Sequence, residues 1–438
     1  MRRFFLLILA FSYGISHPIA AQDSPMFRGD TQHSGIYKAP GVPAFNSVKW
    51  KFHTGGRVIS SPAVVGGVAY VGSTDCNLYA IDAQSGAQKW KFETKGWVVS
   101  SPAVVSSIVY FLSYDGNFYA VDAAGGQLKW KFATGGERRY AGTHLHYLQP
   151  VTERMPDPWD VFLSSPAVWN GTVYFGSSDG NVYALDALTG LLKWKFQSGD
   201  VVHSSPAIAD GVLYVGSWDT FFYALDAASG KEKWRFKTGD DPDAHNHVGI
   251  QSSPVVAEGV VYFGSRDAYA YALDAANGKQ VWKFSTEGSW VNNSPVVQDG
   301  HVYFATSVPG IMHVVDAKTG KVVFDVPAGS PVFASMSIAN GVLYMGNFTG
   351  KLMAIDLKAR KPAWMFETDG AKQNAGAISN PDGGVKWESL FPGPNLFYDD
   401  MVLAVHRLFS SGTILSSPVV VGNSVLFGST DGNLYALE

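Results

Sequence analysis

Two His-x-His pairs, His144/His146 in "GTHLHY" and His245/His247 in "DAHNHV", are the residues of this 438-residue chain best suited to chemistry. Neutral imidazoles ligate zinc, copper and iron, and alternating residues of an extended segment point to one side. Of the eleven histidines, His53, His144, His146, His203, His245, His247 and His406 lie in or beside the links between repeated segments. Three residues before a recurring proline, most copies of the repeat carry Ile59, Val99, Leu163 or Leu415, but three successive copies carry His203, Gln251 and Asn292. The neighbouring turns bring Trp218, Phe221 and Phe222, then Arg266 and Tyr269. These positions predict one ligand site, with His203, His245, His247, His144 and His146 as the metal set. Asp240, Asp241 and Asp243 would support it, bind calcium or solvate a turn. The competing reading is that loop histidines are merely solvated.

The elements that must position these residues are legible from the repeat. Prolines of "SSP" fall at Pro62, Pro102, Pro166, Pro206, Pro254, Pro295 and Pro418, and a further copy has Met336 in that slot. A period near 40 residues decides the architecture. Each unit reads as four short strands, as in "SSPAVV", "VYFGS", "LYALDA" and "KWKF", joined by Asp-Gly-Asn and Thr-Gly turns. Alternating aromatic and β-branched residues suit half-buried strands. The fold class is therefore all-β, an eight-bladed propeller of four-stranded blades. The last copy stops after its third strand at "DGNLYALE", and "VKWKF" (Val48–Phe52) is expected to supply the missing fourth and close the ring. Residues 22–47 are expected as an N-terminal extension and 48–438 as the propeller.

One face should carry the turns between strands two and three and the links between blades. Three of those links are expanded, over 133–162, 237–250 and 367–413. "NLFYDDMVLAVHRLF" in the third places Phe397, Met401, Val405 and Leu408 near helical spacing. Function on such a frame usually resides in variable loops.

"YALDALTGLLKW" resembles the tryptophan-docking repeat of the pyrroloquinoline quinone (PQQ)-type propellers. Similar motifs recur at Asp82/Gly86/Trp90, Asp122/Gly126/Trp130, Asp226/Gly230/Trp234 and Asp274/Gly278/Trp282. The resemblance implies that these residues tie blade to blade. It also implies two kinds of function, since the family holds quinoprotein dehydrogenases and non-catalytic outer-membrane-assembly propellers. The dehydrogenase side implies PQQ with calcium at the axis. Trp218 and Trp290 would then form an aromatic wall, Gln251 and Asn292 would line the site, and Arg266 or Arg138/Arg139 would meet the quinone carboxylates. The adjacent cysteine pair of many such enzymes is missing, because Cys76 is the only cysteine. The same count forbids an internal disulfide, and no CxxCH exists for covalent c-type haem.

Arg2 and Arg3, the apolar run Phe4–Phe11 and "SHPIAAQDS" predict a secretory signal cut after Ala21. With 33 basic and 37 acidic residues, the net charge of −4 argues against nucleic acid as a partner. The expectation is a periplasmic or secreted monomer without a membrane anchor, whose loop-bearing face holds a small-molecule ligand or a periplasmic protein. The functional reading is a metal- or quinone-dependent oxidoreductase, and its alternative is a non-catalytic scaffold.

Overall fold

The computed structural model describes residues 23–239, 249–381, 383–391, 393 and 397–438. The expected secretory signal lies outside the described residues, as do His245, His247 and the aspartates at 240, 241 and 243.

Eight antiparallel sheets of four strands are arranged radially, and the seventh gains a parallel fifth strand, Ile36–Tyr37. The ring closes between its termini. Val48–His53 pairs with Asn433–Leu437 in a register that sets Trp50 opposite Ala436 and His53 opposite Asn433. The Ser-Ser-Pro repeat has a physical reason that its recurrence alone does not give. The second serine of each pair lies on the axis, where its Oγ accepts the backbone N–H of the neighbouring blade. Ser61 donates this way to Ser101 (2.9 Å), Ser165 to Ser205 (2.9 Å), Ser335 to Ser417 (3.2 Å) and Ser417 back to Ser61 (2.8 Å). The first serine ties inner strand to second strand. Ser164 Oγ accepts the Gly176 N–H (2.9 Å) and donates to the Ser204 carbonyl of the next blade (3.0 Å).

The tryptophans lock the outer strands. Trp90 Nε1 donates to the Ala123 carbonyl of the next blade (3.0 Å), and Trp194 does the same to Ala227 (3.0 Å). Gly86 shows why glycine recurs in the receiving turn. Its φ is +75°, and a Cβ there would sit 2.8 Å from Trp50 Cγ. At the closure, Trp364 of blade seven donates to the Val42 carbonyl (2.8 Å), so the N-terminal stretch stands in for a turn that blade eight lacks.

The segment before the propeller is more than an extension. Residues 24–37 run across the ring opposite the expanded links and satisfy the inner edges of several blades, which removes the cost of unpaired edge groups. Val104 N–H donates to the Pro25 carbonyl, Ile208 to Thr31 and Ile338 to Gly35. Arg28, fully buried, donates to the carbonyls of His33 (2.9 Å), Pro295 (2.6 Å) and Met336 (3.0 Å). Phe27 then closes that end of a small axial cavity of about 40 Å³.

The helix expected in the third insert spans Tyr398–Ser410. It buries Ala404, Val405, Leu408 and Phe409 against the propeller, while Phe397 lies outside the helix and is 51% exposed. Among the described residues no helix is long and apolar enough to cross a membrane.

Candidate functional site

At its other end the axial cavity meets the ring of positions that precede Ser-Ser-Pro: Ile59, Val99, Leu163, His203, Gln251, Asn292, Phe333 and Leu415. The three polar members are therefore neighbours around one axis. Over them lies "MPDPWDVF" from the first insert, whose Asp157 and Asp160 are fully buried.

Asp160 is the hub. Its Oδ1 accepts from His203 Nδ1 (2.8 Å) and from Gln251 Nε2 (3.0 Å), and its Oδ2 accepts the Tyr140 N–H (2.5 Å). The other nitrogen of His203, Nε2, faces Ser178 Oγ at 2.8 Å. A serine, a histidine and an aspartate in that order have the layout of a nucleophilic triad. But Ser178 is fully buried, out of reach of a substrate, and its Oγ also donates to Glu137 Oε2 at 2.8 Å. Burial would lower the pKa of the imidazole, but Asp160 and Glu137 outweigh it and raise that pKa. The two carboxylates thus favour the protonated ring, the form that offers no lone pair to a metal.

A second carboxylate holds the other cation. Arg266 Nη1 donates to Asp157 Oδ2 at 2.5 Å. Its guanidinium lies 3.8 Å from the Trp290 ring centroid and 4.6 Å from that of Trp218, which itself stacks on Tyr140 at 4.4 Å. Burial pushes the Asp157 carboxyl up, yet Arg266 and His146 hold it well below the usual carboxylate range. Not every polar atom here is matched. Both amide atoms of Asn292, Gln251 Oε1, Trp218 Nε1 and Arg266 Nε and Nη2 are buried with no hydrogen-bond partner among the described residues.

The remaining expected ligands sit differently from the extended-segment reading. His144 (φ +59°) and His146 (φ +51°) flank and enter a 3-10 turn, Leu145–Tyr147, so they do not share the face of a strand. His144 is exposed, whereas His146 places Nε2 3.7 Å from Asp157 Oδ1. Among the described residues no three His, Cys, Asp or Glu side chains converge to hold a metal. Arg138 donates to the Ser178 carbonyl (2.7 Å), and Arg139 lines a separate hollow with Arg57 and His406.

Several of the residues expected to hold a quinone are engaged by the protein's own side chains. The guanidinium assigned to its carboxylates is neutralised by Asp157, and the gap between Trp218 and Trp290 is filled by that same guanidinium. The protein's own insert occupies the mouth of the axis.

What stays open is a cleft of about 390 Å³ beside the axis, formed by His146 and Trp159 of the first insert, Trp290, Val308, Phe333 and Phe348 of blades six and seven, and Trp387, Phe391 and Met401 of the third insert. Trp159 organises it, stacked on Phe348 (5.9 Å, 14°) and edge-on to Trp387 (6.3 Å, 72°). Among the described residues no acidic side chain, lysine or arginine lines it. Asp157, Trp159, Asp160 and Trp387 were not singled out by the sequence reading. The available clue was a Pro-Asp-Pro-Trp-Asp run in an insert facing two buried cations.

Known proteins resemble the chain in two directions. Outer membrane protein assembly factor BamB of Moranella endobia (strain PCIT) is 26% identical over 150 residues, which are 34% of this chain and 37% of that protein. The chain thus matches little more than a third of the length of this curated relative. Among solved structures, BamB from Moraxella catarrhalis superposes with a TM-score of 0.65 at 12% identity, over 90% of this chain and 99% of that one. A europium-containing methanol dehydrogenase gives 0.68 at 15% identity, over 95% and 98%. The quinohemoprotein alcohol dehydrogenase of Comamonas testosteroni gives 0.69 at 15%, over 95% and 80%. At such identities these superpositions speak for the fold alone. The family model described as "Outer membrane protein assembly factor BamB" matches residues 43–144, 150–283 and 266–438, and the chain belongs to that family of PQQ-type propellers.

Proposed function

We propose that this protein works by binding and not by catalysis, as a periplasmic scaffold that docks a polypeptide of the outer-membrane assembly pathway on its loop-bearing face. One observation carries the reading. The axial place, where a quinoprotein would keep its cofactor, is filled by the Asp157–Arg266 and Asp160–His203 pairs, and the adjoining cleft is open and aromatic. Such a cleft suits one or two large apolar side chains of a partner segment, since aromatic pockets that exclude water supply most binding energy at protein interfaces. The metal- or quinone-dependent oxidoreductase reading is supported only by likeness of fold to the dehydrogenases.

A photo-crosslinking residue at Trp387 tests the proposal in cells. It should capture a discrete protein partner, and capture should fall several-fold when Met401→Asp is added. The same probe at Leu188, which is 71% exposed in a strand three-to-four turn on the opposite face, should capture none. Equal capture at both positions, or none at Trp387, would overturn the docking reading.

A further inference from the structure

We propose that a second hollow on the loop-bearing face, between Arg57, Arg139 and His406, binds a small aromatic carboxylate. It has a volume of about 180 Å³ and is walled by Trp97, Tyr114 and Phe409. Its position is separate from the docking cleft, so the two proposals stand or fall independently.

The two guanidinium groups and the imidazole come from unrelated stretches. Arg57 lies in the link into blade one, Arg139 in the first insert and His406 on the helix of the third. Arg57 Nη2 donates to His406 Nδ1 at 3.4 Å. Folding has brought the like charges of Arg57 and Arg139 near one another, which costs energy unless something compensates. The cost is visible in both titratable partners. Burial and Arg139 lower the pKa of Arg57, and burial, Arg57 and Arg139 lower that of His406.

Within the hollow Arg139 hydrogen-bonds Tyr114, whereas several arginines elsewhere in the fold have charged or carbonyl partners. Arg266 has Asp157, Arg28 has three carbonyls, and Arg407 has the Leu390 carbonyl (3.0 Å). Arg57 and Arg139 have no carboxylate within 4.0 Å among the described residues. An oxyanion lying between the two guanidinium forks would replace repulsion by charge-assisted hydrogen bonds.

The walls indicate what the oxyanion is attached to. Trp97 is 43% exposed, the most open tryptophan among the described residues, and it stands edge-on to Tyr114 at 5.8 Å. Phe409, already under the Arg57 guanidinium at 5.5 Å, lies deeper in the hollow. Ile59 and Val99 make an apolar floor. A flat apolar ring fits such walls, whereas a bare hydrated anion would leave Trp97 exposed for no gain.

Calorimetric titration with benzoate tests the site, with acetate and inorganic phosphate as separate arms. Benzoate should bind more tightly than acetate or phosphate. Arg57→Gln and Arg139→Gln should each weaken it about tenfold or more, the effect of losing one charged hydrogen bond. Trp97→Ala should weaken benzoate and leave acetate unchanged. Because removing one cation relieves repulsion, neither arginine variant should melt below wild type, which separates lost binding from lost fold. An NMR titration of His406 supplies an independent reading, since its pKa should rise when benzoate is added. Absence of benzoate binding at millimolar concentration, or binding unchanged in both arginine variants, would overturn the proposal. So would phosphate binding as tightly as benzoate.

Discussion

A chain lacking Val48–His53 is expected to lose cooperative unfolding and to self-associate. The strand makes five paired positions with Asn433–Leu437, a strand whose residues are all buried in the closed ring. Removal leaves a straight, apolar, unpaired edge beside an open seam, the geometry that recruits other chains. It also strips the turn Ala83–Gly86 of Trp50, whose Nε1 donates to the Ala83 carbonyl at 3.0 Å. Trp50→Ala is the milder form. The indole is 8% exposed, so truncation should cost about 3–5 kcal/mol while keeping the ring. Circular dichroism melts and sedimentation velocity distinguish the two outcomes. A sharp, monomeric transition in the deletion would mean that the N-terminal strand is not the closure.

Arg266→Met should destabilise the protein by about 3–5 kcal/mol, because it abandons the Asp157 carboxylate in a dry interior. The double variant Arg266→Met/Asp157→Leu should recover most of that loss, since an apolar pair removes both desolvation penalties. Additive losses in the cycle would show that the two groups do not depend on one another. The pH dependence has a definite sign for each pair. The Asp157 carboxyl is depressed, so its contribution is present above the unfolded value of about 3.9 and is lost as pH falls through the lower folded value. His203 is raised, so its contribution is complete below about 6.5 and is lost as pH rises through the higher folded value. Asp157→Asn should flatten the acid limb of the stability profile, and His203→Gln the alkaline limb, as read by denaturant midpoints.

The repeat made the frame readable. Period, turn chemistry and a missing fourth strand specify eight blades and their closure, because each unit must bury the same faces against its neighbours. The break in the repeat at His203, Gln251 and Asn292 falls on three neighbouring positions around one axis. The chemistry there was not readable. A polar residue on a propeller axis looks the same in sequence whether it awaits a ligand or answers a buried charge. Asp157 and Asp160, the carboxylates that meet Arg266, His203 and Gln251, lie in an insert with no counterpart in other blades. The same is true of His144 and His146. Their spacing suggests a shared face only if the backbone is extended, and their left-handed φ values remove that premise. The N-terminal segment carries no repeat at all, so nothing in Phe27 or Arg28 announced that it closes the opposite end of the axis.

Titrating the purified protein with PQQ and calcium, followed by melting and by absorbance of bound quinone, most directly asks whether the protein's own side chains hold the axis. A ligand present at 100 times its Kd stabilises by about 2.7 kcal/mol, an effect that a thermal scan resolves. With Arg266 and His203 already neutralised by Asp157 and Asp160, no shift and no retained quinone are expected. A rise in Tm with quinone retained at one per chain would contradict the filled axis, and with it the scaffold reading.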